Sequence, residues 1–364
     1  MKHTVASILV LLLLAAGTHN AHASSIISFG SGANQFSMEF VPIGSAGNAP
    51  DDSVRTSPGA VNYAYQIGRF EVSEDMVDKA SAEGGLGITQ DTRGPNMPAT
   101  NISWFEAATF VNWLNTSTGS SAAYRFDGGG NFQLWESGDA GFDPSNPYRN
   151  ANAIFVLPSI DEWHKAAYFD PVAGLYNDYA TASDDRPDGL DFAGDPDYDV
   201  VFREVRFDFA MPRDVSDAGA FSAYGTMGQS GNVFEWHESA SDGTNDETGE
   251  FRRYRGGSYI DWGVGFLSSG GAINTAPTSE SSFVGFRVAI VPKPAEDLRI
   301  LRAADGPVIL SWTSQVGESY TIQTSSDLAL WLDVTPIIAT SKTTTWQDPT
   351  LATGDRHYFR VLSN

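Results

Sequence analysis

The segment GTMGQSGNVFEW, residues 225–236, decides the fold of this chain together with two other segments. These are LPSIDEWHKAA at 157–167 and RYRGGSY at 253–259, the latter followed by GFRVA at 285–289. The order and spacing of these segments carry the argument for the fold, because any one of them alone is a weak signal.

Four residues in and after RYRGGSY are predicted to have structural roles. Gly256 and Gly257 permit a close backbone approach or an unusual φ angle. Arg255 and Arg287 carry planar guanidinium groups, which bind carboxylates and carbonyl oxygens in a fixed geometry. We expect all four residues to hold the core together.

Two further segments lie upstream, IGRFEVS at 67–73 and PATNISW at 98–104, with Trp113 following the second. In this order and spacing, the five segments resemble the formylglycine-generating enzyme family, the sulfatase-modifying-factor domain, over about residues 36–291. The resemblance implies an α+β fold, an irregular domain related to C-type lectins with little regular secondary structure for its size.

Local patterns predict where helices and strands lie in this domain. Ser103 and Glu106 have the spacing of a capping box, and Ser159 and Glu162 repeat it, so a helix should begin after each serine. Ser73 should open a shorter helix. Period-two apolar residues predict strands in two ranges, 26–43 and 63–72.

The chain departs from the family at the residues that carry catalysis. The resemblance implies oxidation of a sulfatase cysteine by O₂ and a copper ion held by two thiolates, at places that correspond to about Phe266 and Gly271. The chain contains no cysteine. Because Cu(I) prefers sulfur ligands, we expect no copper and no formylglycine-generating activity.

The resemblance also implies a structural calcium ion. Its ligands would be the backbone oxygens of Gly231 and Val233 and the carboxylate of Glu235, with Gly228 in place of the usual Asn or Asp ligand. We expect one of two outcomes: the site still binds one calcium ion, or its affinity is weakened or lost. A second candidate, the acidic run 195–199, is either half of a calcium loop or a solvated loop.

Two classes of function remain open. The first is a non-catalytic surface protein that binds a glycan or a protein, since variable loops on such scaffolds carry recognition. The second is an enzyme, either an oxidoreductase-type enzyme of the same family that modifies proteins or one that uses acid–base catalysis by Asp261 or Glu280. Both carboxylates could instead be solvated surface charges. The resemblance also implies iron-dependent thiol oxidation, as in some relatives, which needs histidine ligands. The chain contains no HxxxHxE segment to supply them.

The candidate groove residues are Arg255, Tyr259, Asp261, Trp262, Phe266, Glu280 and Arg287. The aromatic ones either line the groove or pack internally.

Composition restricts the partners. Asp and Glu number 45 against 22 Lys and Arg, which gives a net charge of −23. Such a chain repels nucleic-acid phosphates and anionic lipid surfaces. Only His164, His237 and His357 follow residue 22, far apart in sequence, so a histidine metal site is not predicted.

The N-terminus has the pattern of a secretory signal peptide. Lys2 precedes an apolar run over residues 5–16, and Ala21-His22-Ala23 fits a cleavage site. The run is too short to span about 30 Å of hydrocarbon. Cleavage removes one Lys, so the mature charge becomes 21 − 45 = −24. We expect export to the periplasm, the cell surface or the medium, and no membrane span.

The chain therefore divides into a signal peptide (1–23), the family domain (24–291), a proline-containing linker (292–296) and a C-terminal module (297–364). In the module, short alternating segments separated by turn residues predict a small all-β sandwich. Its pattern resembles fibronectin-type-III-like modules of exported bacterial proteins.

Overall fold

The computed structural model describes residues 24–188, 200–203, 211–295, 297–302, 307–326, 331–348 and 358–363. The predicted signal peptide, the acidic run 195–199 and His357 lie outside the described residues.

Three α-helices lie in the described part of the chain: α1 (Glu74–Gly84), α2 (Trp104–Ser117) and α3 (Ile160–Tyr168). Both predicted capping boxes are confirmed, since Ser103 and Ser159 each exchange two hydrogen bonds with the glutamate three residues on. α1 ends at Gly85, whose left-handed backbone (φ 64°) suits a residue without Cβ. None of these helices is long and apolar enough to cross a membrane.

The strands are short and numerous, as expected for this fold class. They are β1 (Ser25–Phe29), β2 (Phe36–Ile43), β3 (Tyr65–Gly68), β4 (Arg125–Phe126), β5 (Phe132–Gln133), β6 (Phe155–Val156), β7 (Phe169–Asp170), β8 (Leu175–Tyr176), β9 (Phe234–Ala240), β10 (Arg252–Arg255), β11 (Ile273–Thr275), β12 (Val284–Gly285), β13 (Ala289–Ile290), β14 (Lys293–Pro294), β15 (Arg299–Arg302), β16 (Val308–Thr313), β17 (Ser319–Ser325), β18 (Leu332–Ile338), β19 (Thr343–Gln347) and β20 (Tyr358–Ser363). The α+β class predicted from the sequence is confirmed.

The first sheet joins the two ends of the family domain. Its order is β1-β2-β3-β13-β6, and β13 pairs antiparallel with both β3 and β6. Phe36, Met38 and Phe40 alternate into the core along β2, as their period-two spacing predicts. The sheet therefore closes the domain between residue 25 and residue 290.

The second sheet carries the segments that decide the fold. Its order is β11-β10-β9-β12, and the short strand β12 runs parallel to β9. Six of the seven residues of β9 are buried, so both faces of the strand are covered. This places the end of the segment 225–236 at the centre of the domain.

The C-terminal residues form two further sheets, β14-β20-β17-β18 and β15-β16-β19. A separate apolar cluster, which includes Leu310, Trp312 and Ile322, packs there. Lys293 and Pro294, which lie in the predicted linker, pair with β20 and so belong to the first of these sheets. The fibronectin-like assignment of the module stays a prediction.

The C-terminal sheets contact the family domain through Asn62. Gln323 Nε2 donates to its backbone oxygen at 2.9 Å, and Arg360 Nη2 donates to its side-chain oxygen at 3.3 Å. Arg360 Nε also donates to Gln323 Oε1 at 2.6 Å. The two contacts to one asparagine fix the loop at residue 62.

The cap of α2 gives a test of the local structure. Ser103→Ala removes the side-chain acceptor of the capping box and should lower the free energy of unfolding by about 1 kcal/mol. Ser73→Ala is the matched control, because Ser73 caps α1 without a side-chain hydrogen bond. Urea unfolding of both variants measures the difference, and equal losses would contradict the assignment.

Candidate functional site

A fully buried ion pair lies at the centre of the domain. Arg287 donates from Nε and Nη2 to the two carboxylate oxygens of Glu235, each at 2.5 Å, and neither side chain is exposed. Trp163 Nε1 donates to the same carboxylate at 2.7 Å. Such a bidentate arrangement binds strongly and fixes the orientation of both groups.

The remaining donors of Arg287 bind backbone carbonyls from other segments. Nη1 donates to Gly68 O and Nη2 donates to Met227 O, both at 2.9 Å. Gly68 lies in the upstream segment IGRFEVS, and Met227 lies in the segment 225–236, which also contains Glu235. Arg287 therefore joins its own segment to Met227, 60 residues earlier in the chain, and to Gly68, 219 residues earlier.

Two tryptophans connect the segment PATNISW, residues 98–104, to β9. Trp104 Nε1 donates to His237 O, and Trp236 Nε1 donates to Ile102 O, both at 2.9 Å. Both tryptophans are buried. These reciprocal bonds fix the start of α2 against β9.

Glu71 lies next to the ion pair of Arg287 and Glu235, and its carboxyl group is also buried. Its Oε1 accepts from Asn232 Nδ2 at 2.9 Å, whereas its buried Oε2 has no hydrogen-bond partner among the described residues. Burial raises the pKa of Glu71 to about 7, against the opposing charge of Arg287. A Cβ on Gly228 would lie 2.4 Å from Glu71 Oε1, so the carboxyl fills the space of that missing side chain.

These contacts do not fit the calcium site expected at Gly231, Val233 and Glu235. The carboxylate of Glu235 is already neutralised by Arg287 and bound by Trp163. Within the described ranges, no group of three or more His, Asp or Glu side chains is placed to hold a metal ion. Calcium binding stays a prediction, and it requires Glu235 to leave Arg287.

The loop 264–271, where the family's thiolates would lie, is held from inside the domain. Arg255 Nη1 donates to Ser269 O at 2.6 Å and to Gly271 O at 3.3 Å. Ser230 Oγ donates to Leu267 O at 2.9 Å. A Cβ on Gly271 would lie 2.6 Å from the backbone oxygen of Phe266, so this backbone has no room for a larger residue there.

The outer side of this region presents aromatic rings. Trp262 is 64% exposed, and the guanidinium of Arg203 lies 4.0 Å from the centroid of its indole. The backbone N–H of Arg203 also donates to Asp261 O at 3.1 Å. Phe266 is 40% exposed and packs its ring against that of Phe234, at 5.7 Å between centroids.

The candidate groove residues divide into two groups. Arg255, Arg287 and Tyr259 are buried, and the hydroxyl of Tyr259 donates to Ser282 O at 3.1 Å. Trp262, Phe266 and Glu280 are exposed. Asp261 lies between these groups: it accepts the backbone N–H and the hydroxyl of Ser258, and burial raises its pKa.

The sequence did not predict two contacts of the site: that of Arg203 with the exposed Trp262, and that of the buried Glu71 with Gly228. Arg203 stands in a region with no periodicity, so no local signal points to its contact with Trp262. Glu71 stands inside a quoted segment, but its burial beside Gly228 depends on a contact across 157 residues. Both contacts are made only when distant segments fold together.

The comparisons with known proteins identify the family. The model of the sulfatase-modifying factor enzyme 1-like domain matches residues 43–291. The chain therefore belongs to this family, as the five segments predict. None of the curated proteins compared with the chain matches it.

Solved structures with the same fold are distant in sequence. Variable protein 1 of Treponema denticola is 19% identical with a TM-score of 0.53, and the match covers 74% of this chain and 99% of that one. The crystal structure of CarF is 18% identical with a TM-score of 0.51, covering 70% and 98%. At these identities the similarity shows the fold alone.

The buried ion pair is predicted to be essential for stability. Glu235→Gln leaves the charge of Arg287 buried without a partner, which should cost about 3–5 kcal/mol of unfolding free energy. Asp75→Asn, which breaks the half-exposed pair with Lys79, is the control and should change stability by less than about 1 kcal/mol. Similar melting temperatures for the two variants would refute the central role of the pair.

The raised pKa of Glu71 predicts that the free energy of unfolding depends on pH. The pKa of a glutamate in the unfolded chain is near 4.5, and the folded value is about 7. The folded state therefore holds its proton more tightly, and this stabilisation is complete below about pH 4.5 and lost as the pH rises through 7. The loss reaches about 3 kcal/mol.

Glu71→Gln removes this titration but keeps an acceptor for Asn232. We expect the variant to gain stability relative to the parent between pH 5 and pH 8, as measured by urea unfolding at each pH. If the difference in unfolding free energy between variant and parent does not change over this pH range, the raised pKa does not belong to Glu71.

Proposed function

We propose that this chain is an exported, non-catalytic binding protein that holds a glycan or a protein ligand on the surface around Trp262 and Phe266. The observation that carries the proposal is the position of Trp262. It is 64% exposed while one face of its ring is stacked on Arg203. A solvent-exposed indole in a fixed orientation is a platform for a sugar ring or an apolar side chain.

The surroundings favour recognition over chemistry. The sequence offers no thiol, and the space at Gly271 is closed by the backbone oxygen of Phe266. Glu280 is exposed, so it lacks the setting of a positioned acid or base, whereas Asp261, held by Ser258 and with its pKa raised by burial, is the better candidate of the two. The enzyme alternative therefore has weaker support.

Export is supported by the N-terminal pattern alone. The run over residues 5–16 and the Ala21-His22-Ala23 site are typical of a cleaved signal peptide. An acidic exported protein would meet glycans and surface proteins outside the cytoplasm. The final location is part of the proposal.

A binding experiment with a matched control tests the function. The purified full chain is applied to a glycan array and used in a pull-down from surface proteins, and the affinity of any ligand found is then measured. Trp262→Ala should weaken binding at least tenfold, because stacking is lost. Phe251→Ala, at a 55% exposed ring outside this loop, should leave the affinity unchanged.

An enzymatic result would overturn the proposal. Turnover of a thiol, peptide or sugar substrate that is lost in Asp261→Asn or Glu280→Gln would favour the alternative class. Aldehyde formation on a cysteine peptide, above a copper-only blank, would show that copper chemistry survives without thiolates.

A further inference from the structure

A cavity of about 370 Å³ lies apart from the aromatic surface, at the start of α3. Its walls are the loop segments 47–48 and 60–63, and Ser159 and Asp161 complete the lining. A volume of this size is in the range of small-molecule sites, which often form near the junction of two domains. The loop at residue 62 is the one held by the C-terminal sheets.

The cavity contains one charged group. Among the residues that line it, only Asp161 carries a charge. Its Oδ1 accepts the backbone N–H of Gly59 at 2.8 Å, and its second oxygen has no hydrogen-bond partner in the described part of the chain. The neighbouring Glu162 is not available, because Arg149 binds both of its oxygens at 2.9 and 3.0 Å.

The walls are fixed before any ligand arrives. Asn48 Nδ2 donates to Gly59 O at 2.7 Å and to the hydroxyl of Tyr176 at the same distance. A Cβ on Gly59 would lie 2.5 Å from that hydroxyl, so the turn is closely packed. Tyr63 donates its hydroxyl to Glu162, which fixes the ring at the cavity wall. A preformed site binds with a smaller entropy cost.

We propose that this cavity binds a small ligand through a primary ammonium group, which pairs with the open oxygen of Asp161. A cation restores the interaction that the partly buried carboxylate loses with water. The ring of Tyr63 adds a second surface that attracts a cation. The excess of acidic residues on the chain raises the local concentration of cations around it.

Paired probes of equal length test this proposal on the full chain. 1,4-Diaminobutane carries the ammonium groups, and 1,4-butanediol replaces them with hydroxyls. Calorimetry should detect saturable binding of the diamine at least tenfold tighter than that of the diol. Asp161→Asn should weaken diamine binding at least tenfold.

Three variants test whether the diamine binds in the cavity at Asp161 rather than at any acidic residue or at the surface around Trp262. Asp75 occupies the same second helical position in α1 that Asp161 occupies in α3, so Asp75→Asn should leave diamine binding unchanged. Ala60→Phe fills the cavity from an exposed position and should block binding without touching Asp161. Trp262→Ala should keep diamine binding, which makes this result independent of the proposed function.

The contrary outcomes are equally definite. Equal affinity for the diamine and the diol would show that charge does not select the ligand. Diamine binding that survives Asp161→Asn or Ala60→Phe, or no saturable binding by the full chain up to millimolar concentrations, would overturn the site.

Discussion

The ion pair between Arg287 and Glu235 is the interaction on which the rest of the domain depends. Burying two charges is costly unless each is fully hydrogen-bonded, and here the guanidinium also binds the carbonyls of Gly68 and Met227 while the carboxylate also binds Trp163. In a domain of short strands, long loops lack the hydrogen bonds of regular structure. The polar centre supplies those bonds and brings the family segments into one place.

The same principle applies to the loop 264–271, which contains no cysteine. The interior side chains Arg255 and Ser230 hold the loop 264–271 by its backbone oxygens, at Ser269, Gly271 and Leu267. None of these three contacts uses a side chain of the loop. The outward residues are therefore free to change while the loop stays in position. A loop that is held from inside in this way presents its outer side chains, Trp262 and Phe266 among the neighbouring ones, from a fixed backbone.

The sequence predicts features that depend on neighbours in the chain. Both capping boxes join residues three apart, so the starts of α2 and α3 are predictable, and so is the alternation along β2. The family segments predict which residues are central but not how they pair. The contact of Arg287 with Glu235 spans 52 residues, and that of Arg203 with Trp262 spans 59. Burial also decided which candidate groove residues point inward, and no local pattern carries that information.

Helix α3 connects the two surfaces discussed above. Asp161 at its start lines the cavity, whereas the hydroxyl of Tyr168 at its end donates to Leu267 O, about 10 Å further along the axis at 1.5 Å per residue. Between them, Trp163 fixes the helix to Glu235. Energetic coupling between two sites needs an element with two alternative arrangements. Because α3 is capped at its start and held near its middle and at its end, we expect ligands at the two surfaces to bind independently.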